Sequence, residues 1–416
     1  LNCNNVIVWK LAPGEYDLES CEPNTMRYVK IAAMDGGCTL KDVSLRRYEN
    51  PDTKRASFAA SDERLNELFA AAVSTFAQNA PDVFMDCPHR ERAGWLCDSF
   101  FTARTASVLS GNAKVEHNFL ENFLLPEKFA YLPDGMLPMC YPADHNDGVF
   151  IPNWAMWFVL ELEEYLARSN DRALVDALEP RVMALLDYFK PFENSDGLLE
   201  KLKSWVFVEW SKANDYVQDV NYPSNMLYAA TLDAVGRMYN RPEICEKAAA
   251  IRKTIRSQAL KGDFFSDNAL RKGKKLEVTD NTTEVCQYFA FYFGVATKES
   301  DPKLWKILAD EFGPDRVKQS GWPEVAPANS FIGNMLRMEL LSRDGRSAQI
   351  LTESIGYLKY MADRTGTLWE NAQDNASLNH GFASHAAFTF YRDIRGVRHI
   401  DVKSKKIDIL LPDVAM

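Results

Sequence analysis

The chain has 416 residues, 46% of them hydrophobic, with a net charge of -10 at neutral pH and a pI near 5.3. That length allows two or three domains around a substantial core, and the acidic balance argues against nucleic acid as a partner. No apolar run reaches about 18 residues, the least that spans a membrane, so no membrane-embedded segment is expected.

Three segments near the start, 6–9 (V-I-V-W), 27–33 (R-Y-V-K-I-A-A) and 43–48 (V-S-L-R-R-Y), are short, rich in β-branched or aromatic residues, and separated by Pro, Gly and Asn. This pattern predicts strands. So few strands make a poor independent core, and the polar stretch 49–54 leads through Pro51 into a different kind of sequence.

The run D-C-P-H-R-E-R-A-G-W at 86–95 packs two carboxylates, two arginines and a tryptophan around Pro88. Pro88 disfavours helical backbone at Cys87 and lacks an N–H, so Asp86 and Glu91 belong to a connection between helices. Carboxylates fixed in a loop suit chemistry. Five places apart, they equally suit a cap and a surface ion pair.

Around this run, apolar residues recur at intervals of three and four in twelve segments, roughly 61–79, 92–109, 113–129, 150–168, 171–190, 222–239, 242–260, 282–293, 301–312, 328–342, 346–361 and 378–395. Connections after the even-numbered segments are tight, as at 110–112, 169–170 and 343–345. Those after the odd-numbered segments run to roughly 12 to 31 residues, and long loops in compact domains tend to be functional. Short connections imply antiparallel neighbours, so every long loop emerges at one end. The pattern predicts a mainly α protein in which six helical hairpins close into an (α/α)6 toroid over 57–396. An open solenoid would show a repeat of about 34 or 40 residues, and none is visible.

The elaborated rim gathers acids and aromatic rings. Asp86, Glu91 and Trp95 lie in the first long loop, and Asp134, Gly135, Tyr141, Asp144, His145 and Asp147 in the second. The third holds Trp205, Glu209, Trp210 and Asp215, the fifth Trp322 and Glu324, and the last Trp369, Glu370 and Asp374. Aromatic faces stack on the C–H faces of sugars while carboxylates accept from hydroxyls, so an oligosaccharide or glycoside is the expected partner.

Residues 407–412 (I-D-I-L-L-P) predict the start of a β region over 397–416. The eight cysteines and six histidines show no metal-ligand spacing and no disulfide framework, so neither a metal nor a cofactor is expected.

Residues 86–95 resemble the signature of bacterial α-L-rhamnosidases, glycoside hydrolase family 78, usually written D-C-P-x-R-D-E-R-x-G-W. This chain has one residue fewer between Arg90 and Arg92. T-G-T-L-W-E at 365–370 and S-L-N-H at 377–380 resemble that family's T-x-W-E and S-x-N-H elements. P-D-G at 133–135 and E-W at 209–210 occupy places where it has D-G and D-W. The resemblance implies a six-hairpin glycosidase whose toroid follows a β-sandwich, with 1–56 as the sandwich's end and linker.

It also implies inverting hydrolysis of terminal α-L-rhamnosides in plant or bacterial glycans. Matched from its E-R-x-G-W end, the signature makes Glu91 the counterpart of the general acid and Glu370 that of the general base. Asp86 becomes an acceptor for sugar hydroxyls, Trp95 and Trp369 become walls, and His380 becomes a contact to the sugar. Arg90, Asp134, Glu209, Trp210 and Trp322 are further substrate-binding candidates. Arg90 and Arg92 flank Glu91 at a helix start, a setting opposed to what a general acid needs, and Glu209 stands as the alternative acid. Another sugar specificity, or a carbohydrate-binding relative without catalysis, also fits the shortened loop. A bacterial periplasmic or cytoplasmic setting and any oligomeric state are left open.

Overall fold

Twelve α-helices follow one another among the described residues: α1 (Glu63–Asn79), α2 (Leu96–Leu109), α3 (Lys114–Glu121), α4 (Pro152–Ser169), α5 (Arg172–Phe189), α6 (Tyr222–Met238), α7 (Pro242–Ala259), α8 (Glu284–Tyr292), α9 (Pro302–Asp310), α10 (Gly333–Arg343), α11 (Ser347–Thr365) and α12 (His385–Thr389). The computed structural model describes residues 6–20, 23–26, 28–143, 145–316, 321–329, 331–401 and 404–412. Each periodic segment forms a helix at the expected place. The third is shorter than its periodicity suggests, ending at Glu121 in a 3-10 turn (Asn122–Leu124), and Pro126 beyond it has no N–H with which to continue the ladder. The last is broken into a 3-10 turn (Gly381–Ser384), α12 and a π turn (Phe390–Ile394).

Helices of even number form an inner ring and those of odd number an outer one. In α2, 12 of 14 residues are buried, whereas α7 buries only Ala248, Ile251, Ile255 and Ala259. A helix apolar all round sits inside, and a helix with one apolar stripe covers it. Around the inner ring α2 packs on α4, α4 on α6, α6 on α8, α8 on α10, and α12 returns to α2. The remaining step is made from Glu339 of α10, whose Oε1 lies 3.2 Å from His385 Nε2 of α12 and whose Oε2 lies 2.6 Å from Arg392 Nη1 in the π turn that follows. On the outer ring α1 packs against α11. The ring is closed, and the fold is the six-hairpin toroid.

The tight end is filled by buried charge, with Arg104 Nη1 3.3 Å from Glu339 Oε2 and Arg168 Nη2 2.5 Å from Glu116 Oε1. Such charges persist in a core only when paired. All the long loops stand at the opposite end. The fourth, with the end of the third, carries small antiparallel pairings that sequence periodicity does not announce, since each strand has two to five residues. In these, β1 (Val220–Asn221), β4 (Asn268–Lys272) and β5 (Lys275–Val278) form one sheet, and β2 (Leu260–Lys261) pairs with β3 (Phe264–Phe265).

At the C-terminal side, β6 (Val397–Asp401) and β7 (Lys406–Ile409) form the expected short β segment. The N-terminal segments differ from expectation. Among the described residues of 6–49, which leave out 21, 22 and 27, no strand ladder forms. Val6 (73%), Tyr28 (86%) and Leu45 (71%) are exposed, so these segments lack a packed face and a paired neighbour, the two things that hold a strand in a sheet.

Candidate active site

The first long loop is folded by its own aspartate. Asp86 donates its N–H to the Ala93 carbonyl at 3.0 Å and accepts the Ala93 N–H on Oδ1 at 2.9 Å, closing residues 86–93 into a compact turn. The loop then lies along the second one. Tyr141 N–H donates to Gly94 O at 2.9 Å and Leu96 N–H to Met139 O at 3.1 Å. A Cβ at Gly94 would run into the Tyr141 carbonyl, so only glycine permits this approach. Trp95 is left half-buried at the junction with its ring 5.7 Å from His145.

Ring closure brings the last loop onto the first. Gly381 N–H donates to Asp86 O at 2.6 Å, Leu368 N–H to Thr75 Oγ1 at 2.8 Å, and Asn79 Nδ2 to Asn379 Oδ1 at 2.8 Å. Glu370 is thereby set opposite Glu91, with Arg90 joining them. Arg90 Nη2 is 2.7 Å from Glu91 Oε1 and 3.7 Å from Glu370 Oε2. The two oxygens are therefore no farther apart than those distances laid end to end.

Glu370 is held on both sides, Oε1 by Trp210 Nε1–H at 3.1 Å and Oε2 by the Ser377 N–H at 3.1 Å. His380 Nδ1 lies 3.9 Å from Glu370 Oε2, and its Nε2 lies 2.8 Å from Asp98 Oδ1. Burial pulls the His380 pKa down, but Asp98, Glu370 and Asp86 outweigh it and leave it raised. His380 is thus flanked by acids that favour its protonated form. Asp98 was missed in the sequence reading. Its signal was an acid in the first turn of helix α2, three places after Trp95.

Asp86 is 1% exposed, and its Oδ2 has no hydrogen-bond partner. Burial pushes its carboxyl up to about 7, with His380 pulling it down and Glu91 adding to the rise. An unfolded aspartate titrates near 3.9. A raised folded pKa contributes stability that is fully present below about 4 and lost as pH climbs to about 7. Asp86→Asn cannot ionise, so its melting temperature should gain on the native protein between about pH 4 and 7 and hold a constant offset above. An offset flat across that window would contradict the buried titration.

Other candidates stand elsewhere. Glu209 is fully buried, and its carboxylate accepts from Asn329 N–H at 3.1 Å and Gly333 N–H at 2.8 Å, capping the start of α10. Burial pushes it up to about 8 against Ser211 and those two amides. Its oxygens are engaged by backbone, which favours a structural role over that of acid. Trp369 is not a wall of the site. It is 1% exposed, donates to Thr365 Oγ1 at 2.8 Å and packs on Tyr360. Trp322 donates to Glu311 Oε2 at 2.8 Å and packs on Phe264, away from the paired acids. Asp134 is exposed beside α5, lining a cleft of about 270 Å³ with Lys128 and Arg181. Asp144 lies outside the described residues. No group of three or more His, Cys, Asp or Glu is placed to hold a metal among the described residues, and no described helix is long and apolar enough to cross a membrane.

The family described as a bacterial alpha-L-rhamnosidase six-hairpin glycosidase domain matches residues 53–394. An alpha-L-rhamnosidase of Formosa agariphila is 22% identical over 206 residues, 47% of this chain and 22% of that protein. Among solved structures, the family 78 rhamnosidase of Bacillus sp. GL1 has a TM-score of 0.67 at 20% identity, covering 81% of this chain and 35% of that one. A rhamnosidase from Klebsiella oxytoca with rhamnose bound has a TM-score of 0.64 at 17% identity, covering 80% and 64%. These structural likenesses are of fold. The chain spans less than two thirds of the length of each of these relatives.

Proposed function

The chain belongs to the bacterial alpha-L-rhamnosidase six-hairpin glycosidase family, and from that premise we propose that it hydrolyses terminal α-L-rhamnosides of plant or bacterial glycans with inversion, Glu91 serving as general acid and Glu370 as general base. The observation that carries this reading is the meeting of the first and last loops at one arginine nitrogen, 2.7 Å from one carboxylate and 3.7 Å from the other.

In the proposed reaction Glu370 takes a proton from a water whose oxygen bonds to the anomeric carbon. The bond from that carbon to the glycosidic oxygen breaks on the opposite face, and Glu91 delivers its proton to the leaving oxygen. Both carboxyls then return to their starting states by exchange with solvent. Asp86 and Asp98 provide acceptors for sugar hydroxyls, His380 a donor, and Trp95 and Trp210 the aromatic surfaces. Glu370 suits the base by its placement: its two oxygens are held by the Trp210 indole and the Ser377 amide, with Arg90 and His380 beside it.

A panel of 4-nitrophenyl glycosides tests the reading. Turnover is expected on the α-L-rhamnoside and to be at least about a hundredfold lower on the β-D-glucoside and β-D-galactoside, because wrongly placed hydroxyls leave buried acids unpaired. Preferred turnover of another sugar would move the chain to a different specificity within the fold. No turnover on any glycoside would leave a binding protein.

A further inference from the structure

We propose that Trp210 positions the base: its indole N–H fixes Glu370 in the orientation that reaches the water. This rests on the assignment of Glu370 as base and adds the side chain that makes it competent. The hydrogen bond runs from Trp210 Nε1 to Glu370 Oε1 at 3.1 Å, spanning 160 positions of sequence between the third and last loops. A carboxylate has two oxygens to constrain, and here the other is held by main chain, through Ser377 N–H to Oε2 at 3.1 Å. Two fixed donors on two oxygens leave the carboxylate little freedom to rotate.

Trp210 is itself anchored, although its side of the ring toward solvent leaves it 41% exposed. Its ring packs edge-on against Phe207 at 4.7 Å and lies 6.0 Å from Trp205. Its carbonyl accepts from Asn329 Nδ2 at 2.7 Å, and Asn329 Oδ1 in turn accepts the Ala372 N–H at 3.3 Å. The third, fifth and last loops are therefore tied together around the base. A residue that served only as a stacking surface would not need its N–H aimed at a carboxylate, nor its backbone locked to the loop bearing that carboxylate. Positioning of this kind affects the chemical step far more than ground-state binding.

The test is Trp210→Phe, which keeps an aromatic face and removes the donor, assayed on 4-nitrophenyl α-L-rhamnoside beside Glu370→Gln and the double variant. A hydrogen bond to a charged group implies a fall in kcat of about 10- to 100-fold, with KM within about threefold. The Phe substitution should add no further loss in the Glu370→Gln background, because the residue acts through the base. Incorporation of 3-benzothienylalanine at 210, which preserves the bicyclic shape without the N–H, should reproduce the loss and separates it from any repacking. A native kcat with raised KM, or an undiminished effect in the Glu370→Gln background, would overturn the proposal while leaving the base assignment intact. Native turnover by Glu370→Gln would instead overturn the base assignment, and this inference with it.

Discussion

Glu370→Gln is expected to lower turnover of 4-nitrophenyl α-L-rhamnoside by about a thousandfold, within the roughly 10²- to 10⁴-fold range that a positioned general base supplies. The expectation follows from placement. Glu370 is 8% exposed, both its oxygens are held by donors, and it faces the other acid across Arg90. Glutamine fills the same space but cannot accept a proton from water. Its amide would also turn an N–H toward Trp210 or Ser377, so a modest drop in melting temperature accompanies the loss while the helical ring stays folded. Because the base acts on water, the loss should be similar whatever the leaving group. Kinetics and melting curves on the same preparation check both parts, and full activity in a folded variant would end the assignment.

Glu91→Gln should behave differently. The acid is needed only to protonate the departing oxygen, so the loss should depend on how well that oxygen leaves unaided. With a sugar or alkyl leaving group the variant should lose about 10²- to 10⁴-fold in kcat/KM. With 2,4-dinitrophenyl α-L-rhamnoside, whose phenolate departs without a proton, it should retain most of the native rate. A uniform loss across both substrates would show that Glu91 supports the loop through Arg90 rather than donating a proton. The same pair of substrates applied to Glu209→Gln should show no leaving-group dependence, since that carboxylate is occupied by the amides at the start of α10.

The helical ring was legible because burial imposes a period. The inner and outer helices carry their apolar residues at intervals of three and four, and the alternation of tight and long connections marks which end bears the loops. The short pairings of the fourth loop were not legible, since a two-residue strand such as Phe264–Phe265 leaves no alternation to detect. The segments 6–9 and 43–48 have strand composition but no ladder, because composition records what a residue could pack against and not whether a partner is there. Glu91 and Glu370, singled out through loops whose spacing resembles a known signature, meet at Arg90 in the fold. Trp369 was misread as a wall because sequence places it beside Glu370 but does not tell which way the ring turns, and the structure turns it to Tyr360 and Thr365. Asp98 was overlooked since it sits inside a helix, where periodicity reports burial but not which side chains meet. Its partnership with His380 joins residues 282 positions apart, a contact that only ring closure creates.

Distance alone does not choose the stereochemical course. Inverting pairs stand about 6.5 to 9.5 Å apart and retaining pairs about 5 to 5.5 Å, and the ceiling that Arg90 sets on one pair of oxygens falls between the two ranges, just below the inverting one. Proton NMR of the sugar released in the first minutes of hydrolysis, before mutarotation, decides it. If Glu91 and Glu370 act as acid and base on opposite faces, an α-L-rhamnoside yields β-L-rhamnose first. Initial release of the α anomer would contradict that pairing.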